Sequence, residues 1–108
     1  MIPQNSEELS QIFANPKNTL FLFYFTMIGC PACNKIKKLM TEIENQYPKI
    51  CFVNLDTNQF PDIAKDNKIE YIPVTQLVKI SNKKVVWATK QIIGFKKDAI
   101  LELLIKYK

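Results

Sequence analysis

Apolar residues recur along this chain with two different periods, and the switches between them predict eight elements. Leu9, Ile12 and Phe13 fall at helical spacing. Asn5 with Glu8 three positions later has the form of a capping box, so a first helix is expected to start there. Asn15-Pro16 ends it, because proline disfavours helical geometry in the residue before it. Leu20-Phe21-Leu22-Phe23-Tyr24-Phe25 is an unbroken apolar run, as expected of a strand covered on both faces. Thr26 to Gly29 then reads as a loop, and Pro31 suits the first position of a second helix. Ile36, Leu39, Met40 and Ile43 are its buried stripe. It is expected to reach about Tyr47, where Pro48 stops it.

Ile50-Cys51-Phe52-Val53-Asn54-Leu55 reads as a second inner strand, joined to the first by a right-handed crossover. Phe60 to Asp66 is a short helix with Pro61 near its start. Val74 to Ile80 and Val85 to Thr89 are strands joined through Ser81-Asn82-Lys83-Lys84, a hairpin signal. Ile100, Leu103, Leu104 and Tyr107 form the apolar face of a last helix, with Asp98 suited to its first turn. The order helix, strand, helix, strand, helix, strand, strand, helix points to an α/β fold. The chain of 108 residues shows no repeat or linker, so one domain over residues 1–108 is expected.

Composition narrows the chemistry. Apolar residues make up 47 % of the chain, too many for a disordered segment. The formal charge is +5, from fifteen lysines and no arginine against ten acidic residues. The lysines are scattered, and arginine is the side chain best suited to bidentate phosphate or guanine contacts, so no nucleic-acid partner is expected. No histidine is present, which excludes a Ser-His-Asp or Cys-His centre and any histidine-ligated metal. The longest apolar run is too short to span a bilayer, and no secretory signal is visible. Three cysteines do not make a secreted disulfide framework, so a cytoplasmic protein is expected, with no membrane partner.

Cys30-Pro31-Ala32-Cys33 follows the first strand and opens the second helix. Two cysteines three positions apart can close a small disulfide ring and reopen it. Unpaired N–H groups and the helix dipole favour negative charge at a helix start, and the thiolate is the reactive form of cysteine. Cys30 is therefore the candidate nucleophile and Cys33 its resolving partner. A structural zinc needs four ligands, and Cys51 supplies only one more, so no metal is expected. Cys51 lies mid-strand and reads as a buried, inert core thiol.

A CxxC between a strand and a helix marks a thioredoxin-like redox motif, and the chain resembles thioredoxins over nearly its whole length. The matching segments run from the first helix through Leu55-Asp56 and Tyr71-Ile72-Pro73-Val74-Thr75 to Ile93-Gly94-Phe95 and the last helix. The resemblance implies a central mixed β-sheet flanked by helices on both faces. It also implies that Pro73 is the family's cis-proline, facing the disulfide and, with Ile72, presenting backbone groups to an extended substrate. Gly94 is similar to the family glycine at the active-site rim. Gly29 stands where thioredoxins usually carry tryptophan and leaves the Cys30 sulfur more exposed on that side.

Three positions depart from the family pattern. The buried aspartate six residues before the first cysteine is Tyr24 here, its lysine partner is Phe52, and the helix-kinking proline is Lys38. Without that carboxylate, the Cys33 proton must leave by water or to the departing thiolate. Proline directly after the first cysteine is similar to glutaredoxins and disulfide-forming oxidases. The glutathione-binding approach and turn of glutaredoxins are missing, so no glutathione site is expected. Trp87 reads as core, and Tyr71 as either core or groove. Lys35, Lys37 and Lys38 read as a solvated helix face, and Tyr24 first of all as a core aromatic.

The resemblance implies a thiol–disulfide oxidoreductase that reduces protein disulfides, carries electrons without a cofactor, is recharged by a reductase and acts as a monomer. Two alternatives stand beside it. One is an oxidase or isomerase that donates its disulfide. The other is a binding module that keeps the fold without the redox activity.

Overall fold

The computed structural model describes residues 1–108, and its layers follow from the alternation of side chains along one strand. That strand, β1 (Leu20–Thr26), is buried from Phe21 onward. Phe21, Phe23 and Phe25 point to one face of the sheet, Leu22 and Tyr24 to the other. β2 (Cys51–Asp56) runs parallel to it, with Phe21 opposite Cys51 and Thr26 opposite Asp56. β3 (Val74–Ser81) runs antiparallel on the other side, with Phe25 opposite Val74 and Tyr24 opposite Thr75. β4 (Lys84–Ala88) completes the order β2-β1-β3-β4.

Helices cover both faces of this mixed sheet. α2 (Pro31–Ile43) and α4 (Lys97–Ile105) pack Ile36, Met40, Ile100 and Leu104 against Leu22, Tyr24, Phe52 and Leu77. α1 (Ser6–Ala14) and α3 (Pro61–Asp66) cover the opposite face, where Leu9 joins Phe21, Phe23, Phe25, Val53 and Val78. The Phe13 ring stands edge-on to Phe21 and Phe23 at 5.3 and 6.0 Å, and those two stack at 5.7 Å. Edge-to-face and offset contacts of this kind are the favoured aromatic geometries. Cover on both sides explains why β1 lacks the polar alternation of a half-exposed strand.

Local signals set most boundaries. The Asn5 side chain accepts the Glu8 N–H at 2.9 Å and caps α1. The return bond of a capping box is displaced by one residue, since the Glu8 carboxylate takes the Gln4 N–H at 2.6 Å. α2 ends at Ile43, short of Tyr47, and Glu44–Gln46 tighten into a 3-10 turn, a frequent helix ending. Asn82 and Lys83 both take positive φ, 52° and 63°. This is the two-residue turn whose twist matches the flanking strands.

Three expectations change at the sheet edges. β2 is an edge strand and not an inner one. Its outer side meets only Met1, whose carbonyl accepts the Asn54 N–H at 2.9 Å and whose ammonium donates to the Phe52 carbonyl at 2.6 Å. The run reads as internal because covered faces, rather than paired edges, set its apolar pattern. Cys51, at the start of that edge, is half-buried and not a core thiol; its Sγ lies 3.7 Å from the Met1 Sδ. Burial still pushes its thiol pKa up, opposed by the N-terminal ammonium and reinforced by the Glu44 carboxylate. Trp87 packs against the α2-facing core as expected but stays half-buried, because β4 lies at the opposite edge; its ring meets Tyr107 with centroids 5.8 Å apart.

The third change is an additional short strand, β5 (Ile92–Ile93), which pairs with the Val74–Thr75 end of β3. Thr89 bridges the gap between β4 and β5. Its N–H donates to the Leu77 carbonyl at 2.9 Å, and its hydroxyl accepts the Leu77 N–H at 3.1 Å.

Candidate active site

β1 ends at Thr26, the exposed residues Met27 to Gly29 turn the chain, and Pro31 starts α2 with its φ already suited to a helix. Gly29 makes the turn at φ 85°. No atom lies within 4 Å of where its Cβ would sit, so the backbone angle and not crowding calls for glycine. Cys30 is the N-cap of α2. Its sulfur accepts the Cys33 N–H at 3.2 Å, taking the place of a capping oxygen. A sulfur held as an acceptor at a helix start is stabilised as a thiolate once reduced.

Cys30 and Cys33 are joined as a disulfide, with Cα atoms 5.1 Å apart. Their exposures differ. Cys30 is half-buried, whereas Cys33 is 0 % exposed. An incoming thiol or disulfide reaches the first sulfur and not the second.

The chain brings two further segments to this end of the sheet. The Ile72–Pro73 peptide bond is cis. β3 begins one residue later at Val74, opposite Phe25 near the end of β1. Gly94, at φ 87°, donates its N–H to the Pro73 carbonyl at 2.7 Å, so these two residues are tied directly. The backbone N–H and carbonyl of Ile72 make no hydrogen bond within the chain.

An apolar rim is built from residues next to these groups in the chain. Met27 and Ile28 precede Cys30, Tyr71 precedes Ile72, and Ile93 and Phe95 flank Gly94. All five are exposed, Ile28 by 79 % and Tyr71 by 66 %. Sequence reasoning considered only Tyr71 among them; the available signal was adjacency to Cys30, Pro73 and Gly94. Lys35 and Lys38 are exposed on α2, as expected of a solvated face, and Lys37 is half-buried. A cavity of about 370 Å³ lies on the opposite face between α1, α3 and the β3–β4 hairpin, lined by Phe13, Phe23, Phe25 and Val78. Neither Cys30 nor Cys33 lines it.

Toward the sheet end from which the chain passes into α2, the interior holds polar but uncharged residues. Thr26, Asn54 and Thr75 are the buried polar residues of the whole molecule. By strand alternation all three share the α2-facing side with Tyr24, Phe52 and Leu77. The Thr26 hydroxyl donates to Asn54 Oδ1 at 2.6 Å. The Thr75 hydroxyl has no partner. Tyr24, at the position of the family aspartate, is 5 % exposed, and Phe52, at that of its lysine partner, is 3 % exposed. Burial, with the Glu44 carboxylate adding, pushes the Tyr24 phenol up to about 12. No grouping of three or more His, Cys, Asp or Glu side chains is placed to hold a metal ion. No helix is long and apolar enough to cross a membrane.

Comparison with known proteins agrees with this geometry. Residues 1–106 match the thioredoxin family model. Thioredoxin H5 of Arabidopsis thaliana is 27 % identical over 94 residues, covering 87 % of this chain and 75 % of the relative. Thioredoxin 2 of Plasmodium berghei is 31 % identical over 78 residues, covering 71 % and 48 %. A thioredoxin structure from Nicotiana alata superposes with a TM-score of 0.82 at 21 % identity, covering 100 % of this chain and 91 % of that one. At that identity the likeness concerns the fold.

Proposed function

We propose, from the premise that this chain belongs to the thioredoxin family and is a thiol–disulfide oxidoreductase, that it reduces disulfides in protein substrates through a Cys30 nucleophile. The observation that carries this reading is the unequal pair, an accessible Cys30 sulfur capping α2 and a sealed Cys33 one turn on. The Cys30 thiolate attacks a substrate disulfide, forming a mixed disulfide and expelling one substrate thiolate. Cys33 then attacks the Cys30 sulfur. The second substrate sulfur leaves as a thiol, and the Cys30–Cys33 bond closes.

Ile72, Pro73, Gly94 and Gly29 form the substrate-binding edge. The free N–H and carbonyl of Ile72 suit an extended peptide held by strand addition, and the apolar rim suits the side chains on either side of its cysteine. A reductase or other electron donor returns the pair to the dithiol, and no organic cofactor or metal takes part. The chain acts as one domain and a monomer in the cytoplasm.

Insulin reduction with wild type and Cys30→Ser tests the assignment. Activity in the wild type and none in the variant is expected; equal activity in both, or none in either, overturns it. Equilibration with glutathione tests the direction. A potential of about −220 to −270 mV is expected, and one near about −120 mV would mark a disulfide donor instead.

A further inference from the structure

We propose that the cavity between α1, α3 and the β3–β4 hairpin binds a straight-chain aliphatic carboxylate, its tail against the apolar floor and its head against the Lys83 ammonium. The inference goes beyond the disulfide chemistry and does not depend on it, because the cavity is lined without either cysteine of the pair.

The cavity has a volume of about 370 Å³, and most of its lining is hydrophobic, as in small-molecule sites of that size. Its floor is core. Leu9, Phe23, Phe25, Leu55 and Val78 all line it, and none is more than 8 % exposed. Water gains little against such a floor, since a buried water needs about two to four polar partners. A hydrocarbon chain laid there removes apolar surface from water on both sides of the contact. The Phe13 ring forms one wall and stands at 88° to Phe23. These two rings offer no parallel faces to sandwich a planar group, and an aliphatic tail needs none.

The rim differs from the floor. Ser10, Asn67 and Lys83 line the cavity and are exposed. The Asn67 and Gln76 amides are held locally, their nitrogens donating to the Ile63 and Thr89 carbonyls at 2.8 and 2.7 Å, and they bring no charge. Lys83 does, and no aspartate, glutamate or second lysine lines the cavity. Its place is set by the chain. Asn82 and Lys83 are the two turn residues between Ser81 and Lys84, which pair across the hairpin, and Lys83 takes φ 63°. A tight turn thus fixes the backbone that carries one ammonium at the rim. One positive charge above an apolar floor matches a monoanion with a hydrocarbon tail. A phosphate head favours the fork of arginine, and the chain has no arginine; a carboxylate is served by a single ammonium.

The test is a titration of the isotope-labelled protein with octanoate, followed by NMR amide shifts. Octanoate should move the amides of Ser10, Phe13, Val78 and Lys83 with a Kd on the order of 1 mM, and leave those of Ile28, Cys33 and Phe95 in place. Butanoate, with the same head and a shorter tail, should move them far less. Octylammonium, with the same tail and the opposite charge, should bind more weakly than octanoate. Lys83→Gln should weaken octanoate by about two- to fivefold and leave the binding of octanol unchanged. Val78→Phe, which fills the floor, should abolish the shifts while melting as a folded protein. Shifts confined to Ile28 and Phe95, no saturable shift, or equal octanoate affinity in Lys83→Gln overturn the proposal; so does undiminished binding in folded Val78→Phe. If Val78→Phe fails to fold, Lys83→Gln at its exposed turn position carries the test. Cys30→Ser should bind octanoate as the wild type does, so a failure of disulfide reduction leaves this result standing.

Discussion

The two faces of the sheet share β1 and divide its side chains evenly, yet they are built on different rules. Phe21, Phe23 and Phe25 enter a layer with Leu9, Val53 and Val78 in which every buried residue is apolar. Tyr24 enters the other layer, which holds all three buried polar residues toward the disulfide end. The first layer gains from aromatic packing and carries no chemistry, although it borders a cavity of about 370 Å³. The second leaves one buried hydroxyl, that of Thr75, without a partner, and it is the layer that α2, the helix carrying Cys33, covers. Stability and reactivity are therefore segregated by face, and a one-residue step along β1 moves a mutation from one to the other.

Substitutions on the two faces should separate accordingly. Phe21→Ala removes a fully buried ring that meets both Phe13 and Phe23. It should cost about 3–5 kcal/mol in denaturant unfolding, a large part of the stability of such a domain. The redox potential of the folded protein should stay unchanged; a shifted potential would break the separation of faces.

Tyr24 gives the next largest effect, through pH. Its folded pKa of about 12 lies above the ordinary phenol value of 10.0, so the native state holds the phenol proton more tightly than the unfolded chain does. The stabilisation is complete below pH 10 and is lost as pH rises toward about 12, a fall of roughly 2–3 kcal/mol. Thermal melts across this range should show that slope in wild type and a flatter one in Tyr24→Phe. Equal slopes would mean that Tyr24 is not sealed.

The exposed rim should behave oppositely to both layers. Ile28→Ser and Phe95→Ser should raise KM for a protein disulfide several-fold, with little change for a small disulfide or in melting temperature. A matching loss with both substrates would place these residues in the chemistry and not in docking. The smallest effect is expected at Asn5→Ala, which removes the α1 cap and should lower stability by about 1 kcal/mol in a urea titration.

The same division governs what was legible beforehand. Continuous apolar runs and the CxxC announced β1, β2, α2 and the redox pair, because covered faces and helix starts impose strong local patterns. Edges impose none: Cys51 read as a core residue, and the two-residue β5 was too short to show a period. Tyr24 and Phe52 were visible as departures only through the resemblance to thioredoxins. The unpaired Thr75 hydroxyl was not legible, because its isolation depends on which strands meet across 51 residues of chain, from Tyr24 to Thr75.

The most direct test of the account is the pH dependence of alkylation in the reduced protein, read separately at each cysteine by peptide mass mapping. Cys30 should react with a midpoint at least about one unit below the ordinary thiol value near 8.5, while Cys33 stays protected in the folded chain. A Cys30 midpoint at the ordinary value, or equal labelling of Cys30 and Cys33, would contradict the account.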